Sequence, residues 1–126
     1  TGYVDQKELV ALYQGARALC YPSLYEGFGL PVVEAMAAGT PALVSRGSSL
    51  DEVAGDAALA VDPLDVDAIA AAMARLLDDD AIVGVLAEAG RKRAAALSWH
   101  NTAIATRAVF SRVAAGRAPD GSDGAA

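Results

Sequence analysis

Two glutamates with seven residues between them, Glu26 and Glu34, are the residues of this sequence best suited to chemistry. They lie in the stretch YEGFGLPVVEAMAAG, where Gly27 and Gly29 would let the backbone approach a ligand closely or adopt positive φ. A carboxylate accepts hydrogen bonds from two adjacent hydroxyls, so the pair suits a sugar or a ribose diol. The stretch is therefore a candidate ligand site.

The helix predicted to open at Leu30 and Pro31 adds an affinity for anions. Proline suits the first helical position, Gly39 suits the C-terminal cap, and the free N–H groups at a helix start favour a phosphate. A nucleotide sugar has such an anionic middle and hydroxyl-rich ends. Glycine is also common in turns, and the helix dipole favours a glutamate in the first turn, where we place Glu34. From these residues alone, a ligand site and an ordinary strand–helix corner both remain open.

Strands alternate with helices along the chain. Short apolar runs predict buried strands within residues 18–23, 41–45 and 57–63. Helical spacing and capping residues predict helices at 5–16, 31–39, 48–55 and 65–79, from residue 80, and after Ser98. The order predicts an α/β fold, a Rossmann-like parallel sheet with flanking helices on both sides. Ligands of such sheets bind beyond the carboxyl ends of the strands, where the loop 23–30 begins.

Composition narrows the function classes. The 126 residues are 54% hydrophobic, which is enough for one domain or part of a larger one. A net charge of −6 argues against a nucleic-acid partner, and no apolar run is long enough to form a transmembrane segment. The single cysteine, Cys20, lies in an apolar run and predicts a buried thiol in a cytoplasmic protein. One cysteine and one histidine do not make a zinc site.

Two further patterns have ordinary readings. Arg91, Lys92 and Arg93 follow one another in a predicted helix, and we expect them to form a solvated face. The glycines near Glu26 lack the order G-x-G-x-x-G, which makes a dinucleotide oxidoreductase a poor interpretation.

The longer pattern resembles a known family. The stretches GYVDQKELVALYQGARALCYPSLYEGFGLPVVEAMAAGTPALVS, SSLDEVAGDAALAVDP and LSWHNTA are similar to the carboxyl-terminal, donor-binding part of a family 4 retaining glycosyltransferase. This is a group 1 glycosyltransferase with the GT-B fold. The similarity covers residues 2 to 113, and Glu26 and Glu34 match the Glu-x7-Glu signature. Asp51 stands where the family usually has proline.

The resemblance implies a role for each site residue. Glu26 would lie beside the donor sugar as the catalytic glutamate, and Glu34 would bind the ribose hydroxyls of the nucleotide. The backbone amides that would hold the donor sugar and the diphosphate are those of Gly27, Phe28, Gly29 and Leu30. Family members transfer the sugar with retention and without a metal ion. We therefore expect no metal site and no cofactor, with the nucleotide-diphosphate sugar as substrate.

These expectations define a domain and a function. Residues 1–116 would form a partial carboxyl-terminal nucleotide-sugar-binding domain, followed by a disordered tail over residues 117–126. The full-length protein would be a hexosyltransferase acting on a glycan, lipid or small-molecule acceptor. It would be cytoplasmic, with peripheral association at the inner face of the membrane as an option.

The acceptor-binding amino-terminal domain, and an arginine and a lysine that neutralise the diphosphate, are expected upstream of these residues. The chain alone would then be inactive. The alternative function is a non-catalytic nucleotide-sugar-binding module.

Overall fold

Three short parallel strands form a sheet near the middle of the chain. In the computed structural model, which describes residues 1–116, they are β1 (Leu19–Tyr21), β2 (Ala42–Ser45) and β3 (Ala58–Val61). The strand order is β1-β2-β3, and both pairings are parallel. Central strand β2 is buried along its whole length, which explains its uninterrupted apolar sequence. The predicted disordered tail, residues 117–126, lies outside the described residues.

The helices follow one another along the chain in the predicted order. Their bounds are α1 (Gln6–Gly15), α2 (Leu30–Ala38), α3 (Ser49–Ala54), α4 (Val66–Asp78), α5 (Asp80–Ala96) and α6 (Trp99–Ala114), with a 3₁₀ turn at Gly55–Ala57. Within residues 1–116, no helix is both long enough and apolar enough to cross a bilayer.

The two faces of the sheet have separate cores. On one face, Val44 of β2 packs with buried side chains of α2 and α3, including Met36 and Leu50. On the other face, Leu43 packs with buried side chains of α4 and α5, including Leu76 and Leu86. Successive residues of a strand point to opposite faces, so β2 contributes to both cores. The predicted Rossmann-like parallel sheet with helices on both faces is confirmed.

Local capping interactions fix the helix starts where the sequence places them. The Asp5 carboxylate accepts the Glu8 backbone N–H at 2.9 Å, and the Glu8 carboxylate accepts the Asp5 N–H at 2.9 Å. This reciprocal capping box starts α1. Ser48 caps α3 in a similar way, by accepting a backbone N–H of the first turn.

The described residues divide into two compact units, residues 1–95 and residues 96–116. The first contains the whole sheet and helices α1 to α4. In the second, Ser98 caps α6 by accepting the Asn101 N–H at 3.1 Å, and the Asn101 side chain donates to the Ala96 carbonyl at 2.9 Å.

The prediction of a buried Cys20 is wrong. Cys20 is exposed, because β1 is an edge strand of the described sheet and its outer part is only partly covered by α4. It lies in an open hollow of about 210 Å³. The lining residues of this hollow are Arg17, Ala18, Cys20, Met73, Leu76 and Leu77.

The expected solvated face of α5 is only partly correct. Arg93 is half-buried, and it donates from Nε to the Val53 carbonyl at 2.8 Å and from Nη2 to the Glu52 carbonyl at 2.7 Å. These carbonyls belong to the last turn of α3, where a helix lacks internal partners. Arg93 therefore caps a neighbouring helix, whereas the Lys92 ammonium makes an exposed ion pair with Glu88 at 3.2 Å.

We predict that Arg93→Met lowers the free energy of unfolding by about 1–3 kcal/mol, because the part-buried Val53 carbonyl and the exposed Glu52 carbonyl both lose a charged partner. The adjacent change Lys92→Met removes a similar charge from the surface and should cost less than about 0.5 kcal/mol. Urea denaturation of both variants measures the difference. Equal losses would show that Arg93 has no more than a surface role.

Candidate functional site

The loop that carries Glu26 leaves the carboxyl end of β1, which is where open parallel sheets bind their ligands. Glu26 lies beside a shallow hollow of about 240 Å³ at this end of the strand. The hollow is lined by Cys20, Tyr21, Pro22, Ser23 and Glu26. The structure thus places the first predicted site residue at an accessible surface on the expected edge of the sheet.

Two serine hydroxyls hold this loop against the next strand and helix. The Ser45 hydroxyl, fully buried at the end of β2, donates to the Ser23 carbonyl. The Ser49 hydroxyl, at the start of α3, donates to the Glu26 carbonyl at 2.7 Å. The backbone of Glu26 is therefore fixed relative to the sheet, although the sequence reading did not single out either serine.

Gly27 and Gly29 have different roles. Gly29 adopts a φ of +92°, and a Cβ there would lie 2.2 Å from Cδ2 of the buried Leu50. Glycine is required at this position by the positive φ and by the close packing against Leu50. Gly27 does not have positive φ, and a Cβ there would meet no atom within 4 Å. The open space at Gly27 is where a ligand could approach the backbone.

The free backbone N–H groups near the start of α2 belong to the preceding loop and to the first residue of the helix, not to the residues that follow. Pro31 is the second helical residue and has no N–H, and the Val32 N–H donates to the Gly29 carbonyl at 2.9 Å. The amides of residues 27–30 make no hydrogen bond within the described part of the chain. Those four residues, Gly27, Phe28, Gly29 and Leu30, are the ones that the sequence predicted to hold the sugar and the diphosphate.

Glu34 is not in the first turn of its helix, as we had expected. Gly29 is the N-cap and Leu30 the first residue of α2, so Glu34 is the fifth and lies in the second turn. Attraction to the helix dipole falls off within the first turn, so it does not account for this glutamate. Instead, Oε2 of Glu34 accepts the Tyr13 hydroxyl of α1 at 3.2 Å.

The Glu26 carboxylate has a similar partner. The Tyr21 hydroxyl, at the end of β1, donates to Oε1 of Glu26 at 2.7 Å. This hydrogen bond, with burial and the negative charge of Glu26, raises the pKa of Tyr21. The sequence reading missed Tyr21 as a site residue, although its place at the carboxyl end of a strand was an available signal.

Tyr13 interacts with Glu34 and lies close enough to Tyr21 to feel its charge. Burial, the charge and hydrogen bond of Glu34, and the neighbouring Tyr21 together raise the pKa of Tyr13 to about 12. The structure therefore gathers two tyrosine–glutamate pairs, Tyr21–Glu26 and Tyr13–Glu34, on the α2 side of the sheet. Both phenols remain protonated hydrogen-bond donors near neutral pH.

No three metal-binding side chains of His, Cys, Asp or Glu cluster anywhere in residues 1–116. The expectation that no metal and no cofactor takes part stays a prediction.

Residues 1–93 match the family model described as glycosyl transferases group 1. The chain belongs to this family. It is 47% identical over 105 residues to the O-antigen chain mannosyltransferase B of Escherichia coli, covering 83% of this chain and 28% of that protein. It is 45% identical over 116 residues to the MMP alpha-(1->4)-mannosyltransferase of Mycolicibacterium hassiacum, covering 89% of this chain and 28% of that protein.

Two other similarities extend this result. The glycogen synthase of Mycobacterium tuberculosis is 40% identical over 112 residues, covering 86% of this chain and 27% of that protein. Among solved structures, the sucrose-phosphate synthase of Thermosynechococcus elongatus matches with a TM-score of 0.80 and 34% identity, covering 92% of this chain and 30% of that one. The fold is thus that of part of a GT-B glycosyltransferase. The chain spans less than a third of the length of the relatives it matches.

We predict that alanine at Gly29 affects stability, whereas alanine at Gly27 affects ligand binding. Gly29→Ala should lower the free energy of unfolding by about 2–4 kcal/mol, from left-handed backbone strain and displacement of Leu50. Gly27→Ala should change stability by less than about 0.5 kcal/mol but weaken ligand binding, since its Cβ would occupy open space. Thermal and urea unfolding provide the comparison. A stable Gly29→Ala variant would contradict the close packing.

The raised pKa of Tyr13 predicts a pH dependence of stability. A phenol with a higher pKa in the folded state stabilises the fold below its unfolded pKa, near 10, and this contribution is lost as pH rises toward 12. The stability advantage of the wild type over Tyr13→Phe should therefore be constant up to pH 10 and then disappear. Urea denaturation across this pH range measures it. Glu34→Gln removes the neighbouring charge and so lowers the pKa of Tyr13 in the folded state. In that variant the loss should still begin near pH 10 but should be smaller and complete at a lower pH. Parallel profiles for wild type and Tyr13→Phe would contradict the assignment.

Proposed function

We propose that the full-length protein is a nucleotide-sugar-dependent retaining glycosyltransferase of family 4, and that this chain is its donor-binding portion. The observation that carries the proposal is the loop between β1 and α2. It brings Glu26 and four unpaired backbone amides to the carboxyl edge of the sheet, ahead of the helix that bears Glu34. Membership of the group 1 family supports the reaction class.

A hexose is the sugar that we propose to be transferred. Two of the relatives described above are named mannosyltransferases and another is named glycogen synthase. These names support a mannosyl or glucosyl donor and leave the acceptor as a glycan, a lipid or a small molecule. The proposed location is the cytoplasm, with peripheral association at the inner face of the membrane.

Each part of the site has a proposed task. The carboxylate of Glu34 accepts the two ribose hydroxyls of the nucleotide, since a carboxylate offers about four acceptor positions in all. The amides of residues 27–30 donate to the diphosphate and to sugar hydroxyls, assisted by the positive end of α2. Glu26 lies beside the sugar ring, where its negative charge stabilises the positive charge that develops at the anomeric carbon.

In the proposed reaction, the bond between the anomeric carbon and the diphosphate oxygen breaks. The acceptor hydroxyl oxygen forms its bond to that carbon on the same face, and its proton passes to the departing phosphate. The configuration is thereby retained without a protein nucleophile. The diphosphate also needs positive charge, and the chain has a net charge of −6. We expect a basic pair from elsewhere in the full-length protein to supply it.

We predict separable effects for the two glutamates in the full-length protein. Glu26→Gln should lower kcat by about 100-fold with little change in the Kd of the nucleoside diphosphate, because its charge acts on the transition state. Glu34→Gln should raise that Kd by about tenfold, because a charged acceptor of the ribose hydroxyls is lost. Initial rates with GDP-mannose, UDP-glucose and ADP-glucose, and calorimetry with GDP, UDP and ADP, measure both.

Glu88→Gln is the matched control, since Glu88 lies on α5 and pairs with exposed Lys92. Wild-type transfer rates in Glu26→Gln would overturn the role of that residue. Binding of a nucleoside diphosphate without transfer from any of the three sugar donors would instead favour a non-catalytic binding module.

A further inference from the structure

Each glutamate of the proposed site is held by one tyrosine hydroxyl. We propose that Tyr21 and Tyr13 are the positioning residues of Glu26 and Glu34, each fixing one carboxylate oxygen so that the other faces the sugar nucleotide. The inference rests on the proposed function, and it adds two residues that lie outside the Glu-x7-Glu stretch itself.

The hydrogen bonds have the required form. The Tyr21 hydroxyl donates to Oε1 of Glu26 at 2.7 Å, and the Tyr13 hydroxyl donates to Oε2 of Glu34 at 3.2 Å. The second oxygen of each carboxylate accepts no hydrogen bond from residues 1–116. A glutamate side chain has several rotatable bonds, so fixing one oxygen removes much of the freedom that ligand binding would otherwise have to restrict.

Tyr13 is itself anchored close to the helix that carries Glu34. Its carbonyl accepts the hydroxyl of buried Thr40 at 2.6 Å and the N–H of Ala16 at 3.1 Å. Thr40 follows Gly39, the C-terminal cap of α2. The Tyr13 backbone is therefore tied to one end of α2 while its hydroxyl reaches the middle, so α1 and α2 hold the Glu34 carboxylate between them.

Tyr21 is anchored by the sheet. Its backbone pairs with Val44 of β2, and its side chain packs against the core formed by α2, β2 and α3. The hydroxyl extends from this fixed ring to the Glu26 carboxylate, whose backbone is held independently by Ser49. The catalytic carboxylate is thus supported from the strand and from the next helix, as preorganised sites require.

A packing role alone would give a different outcome from a positioning role. Phenylalanine keeps the ring and its buried contacts but removes the hydroxyl, so a packing residue tolerates the change. A positioning residue does not, and the effect should follow the task of its own glutamate. The expected split is a binding effect at Tyr13 and a rate effect at Tyr21.

The test uses the full-length protein with GDP, UDP and ADP and their sugar derivatives as probes. Tyr13→Phe should raise the Kd of the bound nucleoside diphosphate by about 3- to 10-fold at nearly constant kcat, and Tyr21→Phe should lower kcat by about 3- to 10-fold at nearly constant Kd. Both ranges correspond to the net contribution of one ordinary hydrogen bond. Tyr3→Phe, at a side chain that is 98% exposed, is the control and should match the wild type.

Double variants identify the route of the effect. Tyr13→Phe should add little to the Kd of Glu34→Gln, and Tyr21→Phe should add little to the rate loss of Glu26→Gln, since each tyrosine acts through its own glutamate. Fully additive effects would overturn the proposal. So would Phe variants that bind and react like the wild type while the Glu variants lose function. Glu variants without effect would instead refute the proposed site.

A further variant guards against a folding failure of Tyr13→Phe. Thr40→Val leaves the Tyr13 hydroxyl in place and removes only the hydrogen bond to its carbonyl. It should raise the nucleotide Kd in the same direction, by a smaller factor and without changing kcat. An unchanged Kd in a folded Thr40→Val protein, together with an unfolded Tyr13→Phe protein, would reduce Tyr13 to a packing role and overturn its assignment.

Discussion

The close approach of Gly29 to Leu50 is the constraint on which the site geometry depends. Only a glycine fits here, because the backbone has a φ of +92° and any Cβ would lie 2.2 Å from Cδ2 of the fully buried Leu50. The turn fixes the residue at which α2 begins, and thereby the direction in which every later side chain of α2 points. Successive helical residues are rotated by about 100°, so a helix starting one residue later would turn Glu34 away from Tyr13.

Rigid support on both sides of the loop follows from the same arrangement. The buried contact with Leu50 joins the loop to α3, and the Ser45 and Ser49 hydroxyls join its backbone to β2 and to the start of α3. The loop has no regular secondary structure, yet these three interactions hold it against the core. Binding the proposed ligand, a flexible sugar nucleotide, would cost conformational freedom, and a loop that is already ordered adds little to that cost.

The sequence predicted those parts of the fold that depend on near neighbours in the chain. The capping box of Asp5 and Glu8 and the cap at Ser48 were readable, because the partners lie within a few residues. The strand runs and the two-sided burial of β2 were readable because a parallel strand between helices is apolar throughout. The family pattern then supplied the candidate roles of Glu26 and Glu34.

Features set by long-range packing were not predictable in this way. Exposed Cys20 depends on how far α4 extends over an edge strand, and half-buried Arg93 depends on α3 ending beside α5. Both partners are distant in sequence, so local composition gave the wrong environment. Tyr13 is a further example, because its hydroxyl reaches a glutamate of another helix, 21 residues further along the chain.

The choice of tyrosine to hold the glutamates is consistent with the charge of the ligand. An arginine or lysine beside each carboxylate would hold it strongly, but it would also neutralise Glu26 and compete for the diphosphate. A phenol donates one hydrogen bond and leaves the negative charge in place. Because each carboxylate offers about four acceptor positions, one phenol leaves enough for a pair of ligand hydroxyls. In the proposed site, neutral donors thus orient Glu26 and Glu34 without neutralising them, which leaves both negative charges available to the ligand.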